Sequence, residues 1–129
     1  MKDGKQNLKS VLWVSSSRRD LIVMPKKVVT NFGYAIYQAQ IGTYPDIAKP
    51  LKGFGCAHVI ELVENYKSDT FRAVYTVQFS EIIVVLHAFQ KKSTKGIATP
   101  KQEIELIKNR LKRAKEIYQE WKSKENQNL

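Results

Sequence analysis

The chain has 129 residues, of which 43% are hydrophobic, and its 22 Lys and Arg against 12 Asp and Glu give a net charge of +10. This length suits one domain around one hydrophobic core and excludes two large domains. We therefore expect a single domain over residues 1–129, with an ordered core over about residues 11–121. Such an excess of cations favours polyanions, although an acidic protein partner or a merely solvated basic surface also fits.

Cysteine usage and hydropathy indicate the cytoplasm. The one cysteine, Cys56, cannot form an internal disulfide, which fits a reducing compartment. Residues 1–10 are polar and lack the apolar run of a signal peptide. The longest apolar run, Ile82–Leu86, suits a buried strand and is too short to span a bilayer. We expect a soluble, cytoplasmic protein with no membrane segment.

The first third of the chain predicts a strand followed by a helical hairpin. Val11–Val14 is rich in strand formers, and Ser17 is placed to cap a short helix over Arg18–Met24. Pro25 can open a second helix, and Gly42 can end it. The apolar face of that second helix consists of Val28, Phe32, Ala35, Ile36 and Ala39.

The middle of the chain predicts an antiparallel meander. Short turns separate three strand-like runs: His58–Tyr66, Phe71–Phe79 and Glu81–Phe89. In the middle run, one face reads as core and includes Tyr75, with Phe71, Ala73, Val77 and Phe79. The alternate face reads as a more polar, accessible surface made of Arg72, Val74, Thr76 and Gln78.

A long C-terminal helix follows. Thr99 fits an N-cap, Pro100 the first helical position and Gln102 the capping-box partner. The apolar stripe consists of Ile104, Ile107, Leu111, Ala114, Tyr118 and Trp121. The polar tail Lys122–Leu129 is expected to fray. The elements together predict an α+β domain with a small antiparallel sheet.

A cationic segment, Lys91–Gly96, lies between the last predicted strand and the last helix. Its lysines could hold a phosphate, although charged runs in loops are usually only solvated. The segment lacks the Gly-x-x-x-x-Gly-Lys-Ser/Thr pattern of a P-loop. By alternation, His87 shares a face with Val85 and Phe89. A core or edge histidine is the simpler interpretation, and a proton donor or acceptor is the functional one.

Arg72 is a cation within a predicted strand. It could be paired with Glu61 or Glu64 on the neighbouring strand, or, on an open face, it could bind a phosphate through its fork of donors. Two histidines and one cysteine assemble no zinc set, and Glu61, Glu64 and Asp69 are too dispersed to hold magnesium. We therefore expect no metal and no cofactor.

Eight stretches spread over roughly residues 12–121 follow the motifs of a known family. They are Trp13–Ser17, Phe32–Ala35, Lys49–Gly55 with Val59–Glu64, Phe71–Val77, Val85–Ser93, Gly96–Gln102 and Ile107–Ala114. In these stretches the chain resembles the phage-derived HigB-like branch of the RelE toxin superfamily. The resemblance implies a RelE-like fold, with an N-terminal helical hairpin and a C-terminal helix packed on a small antiparallel sheet.

The resemblance also implies the toxin of a type II toxin–antitoxin system. Such a toxin cleaves mRNA on the translating ribosome without a metal, using the 2′-hydroxyl of the substrate as nucleophile. At matching positions, Arg72, Lys91 and Lys92 would stabilise phosphate charge, and His87 is the acid–base candidate. A separate helix-turn-helix antitoxin would neutralise the toxin. Further cations expected to contact RNA are Lys52, Lys95, Lys101 and Lys108.

Two other functions share the same charge. The fold could serve as a non-catalytic RNA- or ribosome-binding module. The lysines along the last helix could instead bind an acidic protein. Mutation at the assigned site distinguishes the three, because only an endonuclease depends on Arg72 and Lys91 for its effect.

Overall fold

The computed structural model describes residues 8–55, 58–91 and 99–127. Cys56, Lys92 and Lys95 lie outside the described residues, so their predicted roles stay predictions. The elements found in these ranges are β1 (Ser10–Trp13), α1 (Ser17–Ile22), α2 (Lys26–Gln40), β2 (Ala48–Pro50), β3 (Val59–Tyr66), β4 (Asp69–Thr76), β5 (Ile82–Lys91) and α3 (Lys101–Gln127).

The described strands form one five-stranded sheet in the order β1-β5-β4-β3-β2. The predicted meander is confirmed, since β3 pairs antiparallel with β4, and β4 with β5. β2 is added antiparallel to β3, and β1 lies parallel to β5 at the opposite edge. The predicted α+β class is confirmed, with one parallel pair in a mostly antiparallel sheet.

The helical hairpin packs on one face of the sheet. All five residues predicted for the apolar face of α2 are buried against the sheet, with Leu21 of α1 beside them. Their partners include Phe71, Ala73 and Tyr75 of β4, so the predicted core face is confirmed there. The prediction is wrong for Phe79, which stacks on Tyr118 of α3 on the other side of the sheet. Gly42 adopts a φ of +86°, which a residue without a side chain tolerates, and the chain leaves α2 at this point.

The opposite face of the sheet is covered by α3, which corrects the prediction of an accessible surface. Val74 and Thr76 are fully buried there, and Arg72 is 2% exposed. The apolar stripe of α3 needs a partner, and the alternate face of the central strands provides it. Ile107 and Ala114 are the fully buried residues of that stripe. The central strands are therefore buried on both faces.

Several helix ends differ from the predictions. α1 ends at Ile22, before the predicted Met24, and α2 begins at Lys26, one residue after Pro25. α1 starts at Ser17, whose hydroxyl donates to the carbonyl of Val85 at 3.2 Å instead of capping the helix. α3 starts at Lys101, one residue later than predicted. The tail is helical as far as Gln127, and Lys122 binds Glu81, so the predicted fraying is wrong over the described part of the tail. No helix in the described ranges is long and apolar enough to cross a membrane.

Candidate functional site

A β-bulge in β5 places His87 under α3. His87 is paired with Val74 and Val85 with Tyr75, so two residues of β4 oppose three of β5. The predicted alternation is therefore wrong at this point, because Val85 packs in the α1–α2 core while His87 faces α3. Phe89 does share the face of His87, and the two rings stack with their centroids 4.8 Å apart.

Both ring nitrogens of His87 have partners on α3. Nε2 lies 2.6 Å from Oε1 of Glu103, and Nδ1 lies 3.3 Å from Nη1 of Arg110. A guanidinium only donates, so Nδ1 accepts and the neutral ring carries its proton on Nε2, which donates to Glu103. Burial lowers the pKa of His87, and Glu103 partly offsets the effect. In this arrangement the imidazole links the sheet to the helix; its acid–base role stays a prediction.

Arg110 extends this contact to α1. Its Nη1 donates to the carbonyl of Leu86 at 3.0 Å, and its Nη2 donates to the hydroxyl of Ser16 at 3.3 Å. Ser16 donates in turn to Asp20 at 2.6 Å. We call Ser16, Asp20, His87, Glu103 and Arg110 the α3 network. It connects three elements through charged and polar groups at the boundary of the core.

A second polar cluster lies on the same face, nearer β3. Nη1 of Arg72 donates to Oε2 of Glu61 at 2.8 Å and to the hydroxyl of Thr99 at 3.4 Å. The Thr99 hydroxyl donates to the same carboxylate oxygen. Of the two interpretations of Arg72, the pairing with Glu61 is confirmed. The open face that direct phosphate binding requires is absent from the described structure, because the Arg72 side chain is 3% exposed.

This cluster forms part of the wall of a cleft of about 190 Å³. Glu61 and Thr99 contribute polar groups, and Nζ of Lys49 lies 3.9 Å from Oε1 of Glu61. Lys49 is half exposed, so its ammonium is accessible to a ligand. The complete lining is Lys49, Pro50, Leu51, Lys52, Glu61, Thr99 and Ile104. The cleft therefore brings a carboxylate and two cations together between β2, β3 and the start of α3.

The other predicted cations occupy different places. Lys52 lines the cleft and is exposed. Lys101 and Lys108 are exposed on α3, where Lys108 lies 3.8 Å from Glu105. Lys91 ends β5 opposite Thr70 and is half-buried. The structure thus brings Lys52 to the cleft whose wall Arg72 supports, and it leaves Lys108 on the outer surface of the helix.

Sequence reasoning did not assign Glu61, Lys49, Thr99 or the α3 partners of His87 to a site. Glu61 carried a signal, because it is a carboxylate inside the apolar run Val59–Val63. The other residues carried none, since their contacts depend on where α3 packs. Among the described residues, His, Cys, Asp and Glu form no group of three that could hold a metal ion.

The fold and the cleft define a class: a small basic α+β protein with a cationic cleft whose wall contains a guanidinium-bound carboxylate. Residues 19–112 match the model of the family described as phage-derived protein Gp49-like (DUF891). The chain belongs to this family, the phage-derived branch of the RelE/HigB-like type II toxins that the motifs predict.

A solved structure similar to this chain is that of the toxin–antitoxin complex RelBE2 from Mycobacterium tuberculosis. The aligned chains are 17% identical with a TM-score of 0.45, and the match covers 70% of this chain and 100% of the other. None of the curated proteins matches this chain.

Proposed function

We propose that this protein is an endoribonuclease toxin that cleaves mRNA on the translating ribosome and inhibits translation. The observation that carries the proposal is the cleft, where Lys49 and Lys52 line the same wall as the carboxylate of Glu61 in a protein of net charge +10. Family membership supports the same class of function. The nucleophile is the 2′-hydroxyl of the substrate, and no cofactor takes part.

The reaction makes three demands on the protein. A base removes the proton of the 2′-hydroxyl, an acid or water protonates the leaving 5′-oxygen, and cations stabilise the charge on the pentacoordinate phosphorus. The ammonium groups of Lys49 and Lys52 are suited to the third task, together with Lys91 and Lys92 from the family resemblance. Arg72 acts from beneath the cleft, through the carboxylate that it binds.

The partner that neutralises this activity is a separate antitoxin with a helix-turn-helix DNA-binding domain. A basic cleft beside the exposed lysines of α3 suits an acidic or helical antitoxin segment, because opposite charges steer association. Such a segment would compete with RNA for the same cations. Binding of the antitoxin and binding of RNA are therefore expected to be mutually exclusive.

The test begins with induction of the chain alone in a bacterial host, which should arrest growth and translation. Cut sites should then be mapped on a defined mRNA with and without ribosomes. Cleavage on ribosomes that ends in a 2′,3′-cyclic phosphate supports the proposal. A wild-type protein that leaves mRNA intact in both settings refutes it.

A non-catalytic RNA- or ribosome-binding module is the second candidate. The contacts of His87 favour it, because both of its ring nitrogens are occupied within the protein and its proton is not directed at a ligand. The burial of Arg72 favours it as well. Under this alternative the wild type binds ribosomes and inhibits translation, but the mRNA stays intact.

A further inference from the structure

We propose that Glu61 is the general base of the cleft and that Arg72 is a positioning residue that holds its carboxylate. This inference rests on the proposed endonuclease activity and names the side chain that removes the proton of the 2′-hydroxyl in that reaction. Glu61 lies on β3 and lines the cleft between Lys49 and Thr99. No other carboxylate is among the residues that line this cleft in the described structure.

The two oxygens of Glu61 have different environments. Oε2 accepts hydrogen bonds from Nη1 of Arg72 and from the Thr99 hydroxyl. Oε2 is therefore occupied within the protein. Oε1 lies 3.9 Å from Nζ of Lys49, which is longer than a hydrogen bond. No hydrogen bond to Oε1 is found among the described residues, so Oε1 is the oxygen assigned to a hydroxyl group that enters the cleft.

Glu61 is itself only 2% exposed, so what separates the groups around it is whether they line the cleft, as Glu61 does. In the described structure Arg72 is not part of that lining and contacts Oε2 from β4, so it orients the carboxylate. Lys49 is 51% exposed, and Lys52 is exposed on the same cleft. These two can contact a phosphate directly. Lys49 and Lys52 are therefore the transition-state cations that line the cleft, and Arg72, which the family motifs suggested for this task, acts through the carboxylate of Glu61.

Oε1 of Glu61 takes the proton of the 2′-hydroxyl, and O2′ forms a bond to the adjacent phosphorus. The bond between phosphorus and O5′ breaks, and O5′ receives a proton from water. The products are a 2′,3′-cyclic phosphate and a 5′-hydroxyl, and Glu61 returns its proton to solvent.

The competing explanation is a buried ion pair that only stabilises the fold. Glu64 offers a matched control, because it lies on the same strand and also accepts a hydrogen bond from another element, Asn31 at 2.9 Å. It is paired with Phe71 and lies outside the lining of the cleft. Glu61→Gln and Glu64→Gln therefore make the same chemical change in two different surroundings.

The experiment measures single-turnover cleavage of a defined mRNA on programmed ribosomes. The groups facing Glu61 are Lys49 from β2, Arg72 from β4 and Thr99 before α3, with Lys52 on the cleft. We expect Glu61→Gln to lower the rate constant by about 100-fold or more. RNA affinity should change less than about threefold, and Glu64→Gln should behave as the wild type.

Glu61→Asp is the second variant, for the case in which Glu61→Gln fails to fold. It retains the negative charge and shortens the side chain by one methylene. A base role predicts a folded Glu61→Asp protein whose rate constant falls about tenfold or more. A wild-type rate in either folded Glu61 variant overturns the assignment. Absence of cleavage by the wild type refutes the proposed function instead, so the two failures are distinguishable.

Discussion

The imidazole of His87 donates from Nε2 to Oε1 of Glu103 across 2.6 Å, and this contact joins the last strand to the first turns of the last helix. The pair exists because the bulge in β5 turns His87 away from the side of Val85 and towards α3. This contact bears on both the stability of the fold and the candidate site, because α3 covers the face of the sheet on which Glu61 and Arg72 lie.

Stability should depend on pH through His87. Burial lowers its pKa from the ordinary 6.5, and the charged groups that face it are Glu103, Arg110 and Asp20. The unfolded chain therefore binds a proton at this position over a pH range in which the folded protein does not. We expect this contribution to be complete above pH 6.5 and to be lost as the pH falls from there towards the folded pKa.

Urea denaturation between about pH 5.5 and pH 7.5 measures this effect, above the range in which most carboxylates titrate. His87→Gln should be less stable than the wild type at neutral pH and should show a flatter pH dependence. A variant with the same slope as the wild type would assign the pH dependence to another group.

Removal of the Arg110 guanidinium should loosen α3. Arg110→Ala deletes the donors to Leu86, His87 and Ser16, and we expect a loss of about 1–3 kcal/mol in the free energy of unfolding. Arg113→Ala is the control on the same helix, because Arg113 forms ion pairs with Glu116 and Glu120 at the surface. Its effect should be small. Equal losses in the two variants would contradict the role of the α3 network.

Packing of α3 should depend most on its fully buried residues. Ile107 is fully buried against the second face of the sheet, so Ile107→Ala should cost about 2–5 kcal/mol through lost burial and the cavity left behind. Lys108→Ala, one position away and exposed, should have little effect on stability. Chemical denaturation of the two variants checks this prediction, and a loss below about 1 kcal/mol for Ile107→Ala would indicate a loosely docked helix.

RNA affinity should depend on Lys52, which lines the cleft, and on Lys101, which is exposed at the start of α3. Lys52→Ala and Lys101→Ala should each weaken binding to a short single-stranded RNA and reduce the slope of log K against log salt by about 0.7. Lys27→Ala is the control, because Lys27 is exposed on α2 on the other side of the sheet. Fluorescence anisotropy at several salt concentrations measures both quantities. An equal change for Lys27→Ala would indicate diffuse charge and no defined RNA surface.

Several local features were predictable because they depend on neighbours in the chain. The apolar face of α2, the end of that helix at Gly42 and the meander of β3, β4 and β5 follow from spacing, turn residues and strand propensity. The family was predictable from its motifs. The side chain of Glu61 was visible as a charge in an apolar run, and its pairing with Arg72 was among the predicted alternatives.

The amino-acid sequence by itself determined the α+β class, the helical hairpin, the meander and the family, because these depend on local pattern and on motif order. Only the tertiary structure decided that α3 buries the polar-looking face of β4, that the bulge turns His87 towards Glu103, and that Thr99 meets Glu61. The reason is that the face of each side chain is predicted from its position in the alternating pattern of one strand. A bulge changes that count, and a helix from a distant part of the chain decides which face water can reach.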